Sequence, residues 1–158
     1  MIAVTNSTAR LCEWVCTTGY SDIKVEVRQE ALTILYDTIG GMIASSTLPT
    51  CQPVVDMVKA LGGNRECSIV GHPVKTTVTY AALANGTIGH GDEVDATGQQ
   101  GTGHFAPVMV ATAISVGQYA KVSGKELLRA LTLGAEVSAR INSVMEEVFD
   151  HPRRHFED

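Results

Sequence analysis

An all-helical bundle is the fold class this sequence predicts, on three observations. Apolar residues recur at three- and four-residue spacing through Val25–Ser45 and again from Leu127 to Met145, the period of a helix with a buried face. Helix-start signals stand at Pro53, Pro107 and Ser123-Gly124-Lys125-Glu126. A proline is harmless in a first turn, and the last pattern is a capping box. Only Glu66–Val70 reads as a strand. The 158 residues are 44% apolar and 18% charged, which suits one domain with a real core. We place a helical domain at residues 1–149 and a polar tail at 150–158.

Asn6–Thr17 is the first expected helix, with Leu11, Trp14 and Val15 inward and Gly19 as its stop. Cys12 and Cys16 stand one turn apart on one face and read as small core residues. Val25–Ser45 carries two adjacent apolar stripes: Val27, Ala31, Ile34, Thr38, Gly41, and Leu32, Leu35, Ile39, Met42. So wide an arc implies more than one packing partner. Gly40 and Gly41 each cost about 1 kcal/mol against Ala, which suggests a close backbone crossing. Asp37, among apolar neighbours, is expected to make a structural hydrogen bond.

Pro53–Leu61 is a short helix ended by Gly62-Gly63. Lys75–Gly89 is helix-like, and its small residues Ala81, Ala82, Ala84 and Gly86 permit close packing. Pro107–Ala120 is apolar nearly all round and should be central. In the last helix Leu127, Leu131, Gly134, Ser138, Ile141 and Met145 form one face. Lys125, Arg129, Thr132, Glu136, Arg140, Ser143 and Glu147 form the other, with Glu136 and Arg140 spaced to pair.

Composition excludes several classes. The net charge of −5 without a dense basic run argues against nucleic acid, and 5% aromatics disfavour base stacking. No apolar run approaches the roughly 20 residues that span a bilayer, so no membrane partner is expected. No secretory leader pattern opens the chain, and Cys12, Cys16, Cys51 and Cys67 have no CxxC spacing. A reducing, cytoplasmic setting is expected.

The chemistry concentrates in Ala84–Pro107. His90 and His104 flank Asp92, Glu93 and Asp95, followed by Gly98, Gly101 and Gly103. Histidine exchanges protons near neutral pH, and a neighbouring carboxylate fixes its tautomer. If a helix ends near His90, Glu93 and Asp95 can fold back toward it. His104 opens the next helix, facing the positive end of its dipole, a setting that suits a general base. Backbone N–H groups at that helix start and in the glycine loop can bind a carboxylate. The alternative is an ordinary solvated loop. No HExxH-type spacing is present, and His151 and His155 near Glu157 are only a weak tail pattern. A metal held by His90, His104, Glu93 and Asp95 is the less favoured alternative, so no metal ligands are assigned and no cofactor is expected.

At these residues the chain resembles the MmgE/PrpD family, which includes 2-methylcitrate dehydratase, cis-aconitate decarboxylase and iminodisuccinate epimerase. Ala84-Asn85-Gly86, His90, Glu93, Asp95 and His104 follow its signature in order. Asp37-Thr38-Ile39-Gly40, Ser123-Gly124-Lys125-Glu126-Leu127-Leu128 and Gly134-Ala135-Glu136-Val137 match further family segments. The resemblance runs to about Arg140. Ala96 stands where the family usually has Asp, and Phe105 where it has Pro.

The resemblance implies the family's N-terminal helical bundle without its second, α+β domain. It also implies metal-independent proton transfer next to a carboxylate of a small di- or tricarboxylic acid, by dehydration, decarboxylation or epimerisation. His104 is then the leading proton-transfer residue, Asp95 and Glu93 orient the site, and His90 supports them. Thr97, Gly103 and Asn85 would contact substrate, and Asp92 becomes the less favoured acid. Family members are much longer, so the chain is expected to be an N-terminal fragment or one subunit of a split enzyme. Its partner would be a second copy or a complementing C-terminal-domain subunit. Of the few basic residues, Lys75, Lys121 and Arg140 are candidates to meet substrate carboxylates. The alternative function is a non-catalytic helical dimerisation subunit.

Overall fold

The computed structural model describes residues 6–96 and 103–149, with side chains given as far as residue 143. Six α-helices run through the described residues: α1 Ser7–Thr17, α2 Val25–Ser45, α3 Gln52–Leu61, α4 Val78–Gly89, α5 Phe105–Ala120 and α6 Gly124–Phe149. A short 3-10 helix at Tyr20–Asp22 joins α1 to α2. Two-residue strands β1 (Cys67–Ser68) and β2 (Lys75–Thr76) pair antiparallel, Cys67 opposite Thr76. The chain is all-α, as expected. No described helix is long and apolar enough to cross a membrane.

Helices α2, α4, α5 and α6 surround the core, and α3 closes one side of α4. Leu35 and Met42 of α2 meet Val55 and Val58 of α3, Ala84 and Ile88 of α4, Val110 and Ala111 of α5, and Leu131 of α6. The small residues of α4 act as expected: Ala81 and Ala84 are fully buried, and a Cβ on Gly86 would touch the Ala111 methyl at 3.8 Å. A polar clasp ties β1 to this pair. Asn85 is fully buried on α4. Its Oδ1 accepts from Val70 N–H at 2.9 Å, and its Nδ2 donates to Ser68 C=O at 3.1 Å and reaches Ser115 Oγ at 3.5 Å.

Several expectations change. Cys12 and Cys16 are exposed, and α1 has no buried residue. Its spacing describes a shallow amphipathic contact: Arg129 of α6 holds the end of α1 through Val15 C=O at 3.2 Å and Thr18 C=O at 3.0 Å. Arg129 therefore joins the packing although its position reads as solvent-facing. Gly19 has an ordinary φ of −83° and caps the 3-10 helix, so Thr18 is the stop of α1. Asp37 is exposed and makes no structural hydrogen bond among the described residues; the buried polar group is Thr38, one residue on, whose hydroxyl likewise has no hydrogen-bond partner among them. The close crossing is absent among the described residues: a Cβ on Gly40 would meet nothing within 4 Å, and one on Gly41 would meet the Val94 side chain at an ordinary 3.9 Å.

Lys75–Thr76 is strand, and α4 begins at Val78 because Thr77 caps it by accepting from Tyr80 N–H. Helix α5 is not buried all round: Val108, Val116 and Tyr119 leave an apolar stripe on its outer face. On α6, Leu133 is buried although it lies off the expected face, while Ile141 is exposed. Ser123 does cap α6, accepting from Glu126 N–H at 3.2 Å, but the Glu126 carboxylate turns to Arg129 at 2.7 Å. The Glu136–Arg140 pair forms at 2.6 Å.

Candidate active site

The end of α4, the loop after it and the start of α5 bring three side chains together. Gly89 ends α4 and His90 is its C-cap; His104 is the N-cap residue of α5. Between them the chain turns back sharply. Gly91 N–H donates to Ile88 C=O and Glu93 N–H to His90 C=O. Glu93 adopts a left-handed φ of 55°, uncommon for a side-chain-bearing residue. This turn delivers Asp95 between the two imidazoles. His90 Nδ1 lies 2.8 Å from Asp95 Oδ1, and His104 Nδ1 lies 2.9 Å from Asp95 Oδ2. The ring centroids are 5.0 Å apart, edge to face at 65°.

The loop is seated on the core. A Cβ on Gly89 would meet Met42 Cε and Pro107 Cβ, each at 3.1 Å. A Cβ on Gly91 would overlap the sulfur of Cys51 and lie 3.2 Å from Ile88 C=O and 3.4 Å from Ser45 Cβ. Gly91 was not singled out by the sequence pattern, although a glycine just beyond a helix cap is a recognised signal for a constrained turn. Gly91→Ala is expected to cost about 1–3 kcal/mol through this overlap, read as a lower melting temperature.

The Asp95 side chain is 2% exposed, whereas those of His90 and His104 are 44% and 42% exposed. Burial works to raise the Asp95 carboxyl. The hydrogen bonds from His90 and His104 outweigh it and hold the carboxyl below its ordinary range. An ionised carboxylate only accepts hydrogen bonds, so both Nδ1 atoms must carry the proton. Each neutral ring then keeps its lone pair on Nε2, on the far side from Asp95.

Because the folded value is depressed, ionised Asp95 adds stability above the unfolded carboxylate range. That stability is lost as pH falls through the folded value. Asp95→Asn is therefore expected to flatten the acid limb of stability below about pH 4, as checked by denaturant melts across pH.

The other expected site residues separate. Glu93 is exposed, and its carboxylate makes no hydrogen bond to either histidine among the described residues; its backbone shapes the turn, with its N–H donating to His90 C=O. Asp92 is likewise exposed. Asn85, expected to contact substrate, has its amide committed to Val70, Ser68 and Ser115 in the core. Gly103 lies under the Phe105 ring, leaving no room there for a side chain. Thr97, Gly98 and Gly101 lie outside the described residues, as do His151, His155 and Glu157. Lys121 caps the far end of α5, 17 residues beyond His104, or roughly 25 Å at about 1.5 Å per residue. Arg140 is paired with Glu136.

Two apolar grooves lie elsewhere, each of roughly 430–450 Å³: one between α1, α2 and α6, the other between α5 and α6. Neither is lined by His90, Asp95 or His104.

Comparison with known proteins places the chain in a family. The profile of the MmgE/PrpD N-terminal domain matches residues 9–155. The chain is 28% identical over 147 residues to a cis-aconitate decarboxylase-like protein, oryM, of Aspergillus oryzae, covering 89% of this chain and 30% of that protein. It is 30% identical over 132 residues to human cis-aconitate decarboxylase, covering 81% of this chain and 27% of the human protein. The mouse enzyme is similar, at 29% over 125 residues. The chain thus spans less than a third of the length of these relatives.

Proposed function

The chain belongs to the MmgE/PrpD family, as its N-terminal domain, and on that premise we propose that it supplies the proton-transfer half of a lyase or isomerase site for a small di- or tricarboxylic acid. The observation that carries the reading is the shared Asp95 carboxylate, which fixes the tautomers of His90 and His104 and leaves two open Nε2 atoms. Chemistry next to a carboxylate needs a base for the carbon-bound proton, or an acid to protonate the carbon after a bond to it breaks. His104 takes that role and His90 the supporting one. In decarboxylation the C–CO₂ bond breaks, its electron pair stays on carbon, and a proton from imidazolium neutralises it. Dehydration instead removes a carbon-bound proton and delivers another to the departing hydroxyl. The relatives' names favour decarboxylation among these.

The substrate's charges require cations. Lys75 is exposed on β2, outside the loop that joins α4 to α5, Lys121 sits too far away and Arg140 is already paired. We assign that role to a complementing domain or subunit, with residues 1–149 as the helical unit and 150–158 as its tail. The exposed stripe of Val108, Val116 and Tyr119 one turn and more beyond His104 supports a covering partner, which also keeps self-association as a second reading.

The test is a chimera in which residues 9–155 replace the matched segment of human cis-aconitate decarboxylase. Turnover of cis-aconitate or a related polycarboxylate is expected, falling about 10²–10⁴-fold in the His104→Ala form. Full turnover in that variant contradicts the assignment.

A further inference from the structure

We propose that His90, Asp95 and His104 also form a binding site for a divalent transition-metal ion, and that occupancy of the site and proton transfer by its histidines exclude one another. Spacing along the chain matches no metal motif; the fold creates the cluster. A ring nitrogen from each histidine and a carboxylate oxygen of Asp95 lie within 4.8 Å of one another. His90 Nδ1 lies 2.8 Å from one Asp95 oxygen and His104 Nδ1 lies 2.9 Å from the other, somewhat closer than the roughly 3.3–3.6 Å between tetrahedral ligands of an ion bonded at about 2.0–2.2 Å.

The donor set selects the class of metal. Two imidazoles and one carboxylate suit zinc, iron, cobalt, nickel or copper, whereas magnesium and calcium take oxygen ligands. Three protein ligands leave further positions for water. The half-exposed histidines give an entry path from solvent, and the ionised, almost fully buried Asp95 supplies the negative charge.

Mutual exclusion follows from the valence of imidazole. An ion on Nδ1 displaces the proton now donated to Asp95, and the neutral ring then carries its proton on Nε2. An ion on Nε2 takes the lone pair itself. In either mode the ring has no free lone pair to act as a base. Metal uptake thus switches off the acid–base pair, each ring keeping its one proton on the nitrogen the ion does not hold.

This inference uses the residues of the proton-transfer reading but does not depend on catalysis. It is tested by titrating Zn²⁺ into the 158-residue chain by calorimetry. Cys12→Ser/Cys16→Ser and His151→Asn/His155→Asn changes remove the exposed thiols and the tail histidines. One ion per chain is expected, with weaker binding at pH 5.5 than at pH 7. Asp95→Asn and His104→Asn, each first shown to melt cooperatively, are expected to weaken binding at least about tenfold. Affinity unchanged in both variants, or no saturable binding by the parent, overturns the proposal. Turnover of the chimera reports separately: if Zn²⁺ binds but the chimera is inactive, the catalytic reading alone fails. If the chimera turns over but Zn²⁺ does not bind, the metal site alone fails.

Discussion

Asp95→Asn is expected to lower turnover of the cis-aconitate decarboxylase chimera about 10²–10⁴-fold while leaving the helical fold intact. The amide is nearly isosteric, so packing changes little. Its chemistry differs in the decisive respect: the carboxylate offers two acceptor oxygens, one to each Nδ1–H, whereas an amide offers one acceptor and one donor. Whichever ring faces the amide N–H must present an unprotonated Nδ1, placing its proton on Nε2. That ring ceases to be a base, and the charge that balances an imidazolium is lost with it. Effects of this size accompany loss of a positioned acid or base and of its orienting carboxylate. Steady-state turnover with circular dichroism on the same sample checks both halves of the expectation.

Asn85→Ala is expected to act on stability instead. Removing the amide strands Val70 N–H and Ser68 C=O, which now meet Asn85 at 2.9 and 3.1 Å. A buried polar group left without a partner costs about 1–3 kcal/mol, and these two are partly buried, so together with the lost Asn85 packing a loss of roughly 2–4 kcal/mol is expected. For a domain of this size that is a fall of roughly 5–15 °C in melting temperature. Zn²⁺ affinity and the Asp95–histidine contacts should persist below the new transition. The asparagine of the family signature thus clamps β1 to α4 and α5, a role that a reading by resemblance assigns to substrate contact.

The pattern of success follows from what periodicity encodes. Helices α2 and α3 are visible because burial of one face imposes a repeat on each sequence, and Val25–Ser45 agrees at both ends. The strand at Lys75–Thr76 leaves no such trace. Two residues carry no period, and the pairing depends on Cys67–Ser68 arriving alongside. Spacing also cannot say how deeply a face is buried, so the core reading of Cys12 and Cys16 fails on a helix with no buried residue.

At the site, the return of Asp95 to His90 is foreseeable from five-residue spacing after a helix end. The second contact, to His104, bridges nine residues, and only the placement of α5 against α4 creates it. Glu93 reads as an acid from its type alone. Its positive φ, which makes it the pivot of the turn, is a backbone property that residue identity does not announce.

The most direct measurement of the central claim is the tautomeric state of the two site histidines, read by long-range ¹H–¹⁵N NMR on the metal-free chain at neutral pH. The account predicts that neutral His90 and His104 both carry their proton on Nδ1, with Nε2 unprotonated, and that Asp95→Asn abolishes this state in at least one ring. Protons on Nε2 in both rings, unchanged by Asp95→Asn, would contradict it.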